Sequence, residues 1–417
     1  MAQYGGFSLA TVNRGKTWKW VVFSVGFLTV FVSFGIRYGY AMLMPEIMKS
    51  LNISTIEAGM IFSSYLIVYT IFSPITGFIT DKLGPRRVLT LFCIPMGIGA
   101  FLLGTANSVW SASLFAAMVG FGATGSWVPV IISVQSWFGI ERRGFVLGAL
   151  QTGINLGIGL FGLLLPMLAL LYGWRTSWYL LGFLGLFLVV VNGLLLKDAH
   201  VRSSVKIENP RPSNFVDKNV RAQPGLVRKI FATSQFWLIG FSYLFMALSI
   251  LVPMTYITAY ATLELEIEYT VAAVFYSIMA FSGIMGALLL TAFSDRFGRK
   301  NAIMICCSSV VIGLMVLIAA GSNQTMITLS MMVLGVSYGS IWPLYAACAF
   351  DYFSPEIIGA VAGLWTVCAG VGMTVSPIIA GYVANVAGAF RLSFFLAITA
   401  AIAALVLVAL VKKTSIH

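Results

Sequence analysis

A succession of apolar runs, each long enough to cross a lipid bilayer, constrains this chain more than any other feature. A helix needs about 20 mostly apolar residues to span roughly 30 Å of hydrocarbon. Runs of that kind fall near residues 18–44, 58–80, 88–106, 110–137, 144–171 and 175–197, and again near 233–261, 270–293, 301–320, 326–350, 357–385 and 389–412. Between the two sets lies a polar stretch with proline and charge, Lys197 to Lys229. Charge supports the same conclusion: only 9% of the 417 residues are Asp, Glu, Lys or Arg, against about 25% in an average soluble domain. Inside hydrocarbon each backbone N–H and C=O must be satisfied within the protein, which leaves helices or closed barrels, and runs this long are helices. The expected fold is all-α and integral to the membrane, with twelve transmembrane helices: a six-helix bundle in residues 1–197, a linker at 198–229, and a second six-helix bundle in 230–417. Residues 1–16 are polar and the first apolar run is long enough to span, so it is expected to stay as a helix and not to be cleaved as a signal peptide.

The formal charge of +12 would suit a nucleic-acid partner if it formed a patch, so its distribution decides. With the N-terminus placed in the cytoplasm, 21 of the 25 Lys and Arg residues fall in inner loops and only Lys49, Arg175 and Arg391 in outer ones. That asymmetry is the positive-inside signature. It predicts a multi-pass protein of the cell (inner) membrane with both termini cytoplasmic, and it accounts for the charge without nucleic acid. The lipid bilayer is the one extended partner, and the chain is read as a monomer.

The two halves repeat each other. Trp137-Phe138-x-x-Glu141-x-x-Gly144-x-x-x-Gly148 matches Tyr352-Phe353-x-x-Glu356-x-x-Gly359-x-x-x-Gly363 at an offset of 215, and Trp127 maps onto Trp342 at the same offset. Asp81-Lys82-x-Gly84 maps onto Asp295-Arg296-x-Gly298 at 214. Parallel repeats joined by a long loop place a binding site between the halves near the bilayer midplane.

Gly77-Phe-Ile-Thr-Asp81-Lys82-Leu-Gly84-Pro-Arg86-Arg87, between the second and third spans, resembles the signature loop of the major facilitator superfamily, and its copy around Asp295-Arg296-Phe-Gly298-Arg299-Lys300 falls in the equivalent loop. The resemblance runs over essentially the whole chain and implies a major facilitator fold of two pseudo-symmetric bundles. It also implies a cytoplasmic gate in which Asp81, Arg86, Arg87, Asp295 and Arg296 take part. Gly35-Ile-Arg37-Tyr38-Gly39-Tyr40, Arg142-Arg143-Gly144 and Tyr338-Gly339-Ser340-x-Trp342-Pro343-Leu344 are similar to segments of the monocarboxylate and oxalate/formate branch. That likeness implies carriage of a small organic anion, a monocarboxylate above all. Members of the branch often carry basic residues in the eighth or eleventh span, and this chain has none there.

Arg37 lies inside the first span. A guanidinium near mid-membrane costs about 2.5–3.5 kcal/mol on insertion scales, so it must face a polar cavity or a partner. Counted to a span end near 44, it stands about 10 Å from the outer surface at ~1.5 Å per residue, and partial snorkelling competes with a cavity role. No acid in any span offers a permanent partner, and Glu46 is near the outer end of the same helix. A cation without a counter-ion reads as an anion site, and Arg offers a carboxylate two parallel hydrogen bonds. The remaining substrate-contact candidates come from helical face and repeat mapping: Tyr38, Gln151 and Asn155 (spaced i, i+4), Ser249, Tyr256, and the aromatic residues Trp127, Tyr276, Tyr338, Trp342 and Trp365. Ser33 shares the face of Arg37, and Tyr65 and Tyr69 share a face of the second span.

Coupling is constrained by what the spans lack. The 13 acids fall in loops or near span ends, and the histidines, His200 and His417, lie in polar segments. A buried carboxylate or imidazole proton relay is therefore not expected. The proton could travel on the substrate acid, one anion could be exchanged for another, or a facilitator could work uncoupled. Proton symport and anion exchange are the leading modes. Enzymatic chemistry has no foothold: the five cysteines sit in apolar runs, no metal-ligand spacing occurs, and no phosphate-cradling loop is present. No cofactor and no metal are expected. The competing reading is a transporter of neutral or other small solutes, efflux included.

Overall fold

The computed structural model describes residues 9–138, 143–197, 231–353 and 357–411. The linker expected at 198–229, both chain ends, and Glu141 and Glu356 of the repeated motif lie outside the described residues. The helices in chain order are α1 (Leu9–Leu51), α2 (Thr55–Leu83), α3 (Pro85–Leu103), α4 (Val109–Ala123), α5 (Val128–Gln135), α6 (Arg143–Tyr172) and α7 (Trp174–Leu195). After the central segment come α8 (Ser234–Ala259), α9 (Tyr269–Phe297), α10 (Arg299–Ala320), α11 (Gln324–Tyr352), α12 (Ile358–Ala387) and α13 (Arg391–Leu410). A π-helical turn, Tyr260–Glu264, extends α8. Twelve of the resulting segments are long and apolar enough to cross a membrane.

Two boundaries differ from the sequence reading. The first span runs to Leu51, not 44, because Met42, Leu43, Met44 and Ile47 continue the buried face beyond Glu46. The fourth span, read as one helix, is two: the chain turns through Thr124–Trp127 before Pro129 enters α5. Proline has no N–H for the helix ladder and excludes the preceding turn's carbonyl, so the helix restarts around it.

Local signals explain the sharp ends. Ser54 and Glu57 form a capping box at the start of α2, with the Ser54 amide donating to Glu57 Oε2 at 2.7 Å. Gly84 and Gly298, the glycines of the two signature loops, adopt nearly the same left-sided backbone, φ 81° and 89°. A side chain is strained there, which gives a physical reason for glycine at both positions of the repeat.

The helix surfaces divide by solvent. Leu114, Phe183, Leu194, Met285 and Ile312 point outward as apolar residues do only against lipid, while Trp178, Tyr276 and Tyr345 are buried between helices. Association in lipid rests on close packing of small residues, since hydrocarbon itself offers no drive to bury leucine. The tightest approach joins α9 and α11. A methyl on Gly286 would lie 1.8 Å from the Val336 carbonyl oxygen, and one on Gly339 1.9 Å from that of Gly283.

The first and second sets of spans meet along two seams, α2 on α12 and α6 on α9. At the end remote from the central segment these seams are shut. Tyr269 donates to Met42 O at 2.8 Å, and a methyl on Gly59 would lie 2.3 Å from Pro377 O. Midway, Ser63 donates to Thr374 O at 2.8 Å, and Asn155 of α6 abuts Gly283 of α9. At the linker end Gly77, Gly148 and Gly363 face open space, with nothing within 4 Å of an added methyl. A cleft therefore opens between the halves toward the linker end and closes near mid-membrane.

Overpacking a tight contact costs about 1–3 kcal/mol, or about 2–4 °C per kcal/mol for units of this size. Gly286→Val and Gly339→Val should each lower the thermal midpoint in detergent by about 2–10 °C, whereas Gly148→Ala should leave it unchanged. A fluorescence melt of the purified variants measures both.

Candidate functional site

With α1 continuing to Leu51, Arg37 stands 14 residues from the helix end, about 21 Å along the axis. Snorkelling to the remote surface, which a shorter span would have allowed, is thereby ruled out. Arg37 is 7% exposed. Among the described residues the ion pairs are Arg299 with Asp295 and Arg299 with Asp351, so no carboxylate neutralises it.

Aromatic rings hold the guanidinium instead. Its carbon lies 4.7 Å from the ring centroid of Tyr69, 5.3 Å from Tyr38, 5.6 Å from Phe34 and 5.7 Å from Tyr65. A cation over an aromatic face gains about 0.5–2 kcal/mol, more as water is excluded. Nη2 also points to the sulfur of Met373 on α12 at 3.7 Å. The cage has a structural origin on α2. Phe62, Tyr65 and Tyr69 follow at i+3 and i+4, and with Tyr40 their rings stack with interplanar angles of 8°, 18° and 8°. This ladder presents one aromatic wall to α1.

The cage bridges both halves of the protein. Tyr338 of α11 donates to the Tyr38 hydroxyl at 3.1 Å, and the two rings meet edge to face. Tyr276 of α9 is within electrostatic reach of Arg37 and Tyr38. Around this point several buried polar atoms lack a hydrogen-bond partner: Arg37 Nε, Ser33 Oγ, Tyr65 OH, Tyr276 OH, Thr374 Oγ1 and Asn155 Oδ1. Buried polar groups are nearly always paired, and each exception calls for a reason. Here they include donors that suit an anionic oxygen beside a fixed positive charge.

The other candidates divide by position. Trp127, in the turn between α4 and α5, meets Phe34 edge to face at 6.2 Å and so borders the cage. Trp342 lies against Tyr338 at 6.2 Å and Tyr243 at 5.9 Å. Asn155 is fully buried at the α6–α9 seam, its amide donating to Gln151 O at 3.2 Å, and Gln151 is half-buried one turn nearer the open end. Three residues lie away from Arg37. Ser249 donates to Ala397 O on α13, and the Trp365 indole donates to Phe236 O on α8, so both are used within the second half. Tyr256 donates to Pro377 O at 2.6 Å beside Gly59, in the shut end of the seam.

At the linker end, Asp81 and Arg87 are exposed. Arg86 donates to Gly193 O on α7. Asp295 pairs with Arg299 at 3.8 Å, and Arg296 stacks over Phe297. The side chains that sequence reasoning did not single out are Phe34, Met373 and Thr374. Nothing in their spacing distinguishes them from packing residues, and they matter only because α12 crosses α1 at Arg37.

Known proteins resemble this chain along nearly its full length. It is 22% identical over 400 residues to the "Probable sulfoacetate transporter SauU" of Cupriavidus necator, covering 92% of this chain and 91% of that one. To the "Hexuronate transporter" of Bacillus subtilis it is 24% identical over 384 residues, 89% of each. The solved structure of the nucleoside transporter NupG superposes with a TM-score of 0.79 over 94% of this chain and 100% of that one; at 14% identity the likeness is one of fold. The family model of the Major Facilitator Superfamily matches residues 26–368 and 294–416. The twelve-helix architecture and this match establish that the chain belongs to the Major Facilitator Superfamily.

Proposed function

We propose that the protein carries a small, singly charged organic anion across the membrane by alternating access, with Arg37 as the group that recognises the anion. The observation that carries this reading is a buried guanidinium, held by rings and a thioether, with no carboxylate partner among the described residues. A fixed cation in a low-dielectric site attracts a mobile anion, and the unpartnered hydroxyls of Tyr65, Tyr276 and Thr374 supply further donors. The names of the two relatives, sulfoacetate and hexuronate transporters, support an organic anion as the substrate class. One Arg, without a second in-span cation, favours a monocarboxylate.

In this reading the bundles 1–197 and 230–417 rock about the site, joined by the segment between them. The positive-inside count supports a cytoplasmic location for both termini and the linker in an inner membrane, and the cleft then opens toward the cytoplasm. Asp81, Arg86, Arg87, Asp295 and Arg296 occupy the rim that must close when the cleft turns outward, which suits a gating role for the signature loops. A single copy contains the whole site, so the chain acts as a monomer. Proton symport and anion exchange both satisfy this geometry, because neither needs a carboxylate in the spans.

Uptake of labelled anions (lactate, pyruvate, formate, oxalate, acetate and aromatic acids) into proteoliposomes tests the assignment. Saturable uptake of a monoanion should fall by about 100-fold or more in Arg37→Ala, the scale expected when one partner of a buried charge pair is removed. Uptake confined to neutral solutes and unchanged in Arg37→Ala would overturn it. A companion measurement separates binding from folding. Because Arg37 has no acid to lose, Arg37→Met should transport nothing yet melt within about 3 °C of the parent or above it. A markedly lower melting temperature would make Arg37 a structural residue.

A further inference from the structure

We infer that this carrier is an obligatory anion exchanger: its two halves pass through the closed state with an anion on Arg37 and do not do so empty. The inference rests on the reading of Arg37 as the anion-recognising group. It starts from the balance of charge in the site. Arg37 is buried although the cleft is open at the linker end, and Tyr38 with Tyr338 and Met373 closes over it from both halves. Among the described residues that closure supplies rings and sulfur but no carboxylate. It also strands Arg37 Nε and the hydroxyls of Tyr65 and Tyr276 without partners.

An empty site must therefore carry a bare positive charge, and unsatisfied donors with it, through a state sealed from water on both sides. A monoanion on Arg37 makes the same passage neutral and occupies the donors. Carriers that return empty usually avoid this cost with a titratable or fixed acid beside the cation, and here the spans hold none at their centres. Their acids lie at the ends: Glu46 and Glu57 remote from the linker, Asp81, Asp295 and Asp351 beside it. A return step that must desolvate one unpaired charge is slower by about 100-fold than the loaded step, from the mid-membrane cost of a charge on insertion scales. The swap of one monoanion for another moves no net charge and needs no proton site on the protein.

The experiment is counterflow in proteoliposomes, using whichever labelled monoanion from the panel is transported. Vesicles preloaded with the same unlabelled anion should take up label about 100-fold faster than vesicles loaded with an impermeant buffer. The preloaded rate should be insensitive to a potassium–valinomycin potential and to an imposed proton gradient. Uptake that depends on Arg37 but proceeds equally fast into anion-free vesicles, with internal acidification, would overturn exchange and leave the anion site standing. Failure of every anion to enter in either loading, with the reconstituted protein still folded by its melt, would overturn the anion reading and exchange with it.

Discussion

The guanidinium of Arg37 sits about two-thirds of the way along the first membrane-crossing helix, where neither water nor a carboxylate compensates it. Everything nearby is arranged around that charge. The stacked rings of α2 offer it their faces, α11 sends Tyr338 across to the neighbouring Tyr38, and α12 brings Met373 against it. Each contact is weak beside an ion pair, with cation–π gains of about 0.5–2 kcal/mol. That weakness suits a carrier, since an acid bound permanently to Arg37 would compete with the substrate for the same N–H groups.

The scaffold has the opposite requirement and is rigid where the site is yielding. α9 and α11 approach so closely at Gly286 and Gly339 that no side chain fits, which makes each bundle a stiff body in lipid. The seams between bundles are tight at the remote end and open at the linker end. One set of rigid helices can thus shut one face of the membrane and leave the other accessible. The split fourth span fits this division of labour: its turn carries Trp127 against Phe34, linking the helix break to the cage around Arg37.

How much of the site was legible in the sequence depended on whether a residue's cost or only its neighbour gave it meaning. Arg37 announced itself because a charge in an apolar run is expensive wherever it points. Tyr65 and Tyr69 were visible as an i, i+4 face, and Asn155 as a buried amide. Ser249, Trp365 and Tyr256 came from face and repeat mapping, which identifies a side of a helix but not the helix it meets. All three instead donate to backbone carbonyls within the second half. Met373 and Thr374 left no signal, because an apolar or hydroxyl residue in α12 looks the same whether it faces lipid, a sister helix or the cage.

The sequence by itself determined the twelve spans, the repeat of the two signature loops and the presence of an unpaired cation in the first span. These follow from local quantities: apolar length against bilayer thickness, glycine where the backbone turns left-handed, and the transfer cost of one charge. Only the tertiary structure decided how deep Arg37 lies, which rings enclose it, and at which end the halves part. Depth turned on where α1 stops, and the stop is set by burial of Met42 through Ile47 against other helices. Enclosure and opening turned on how helices distant in the chain cross, and no window of sequence contains both partners of such a contact.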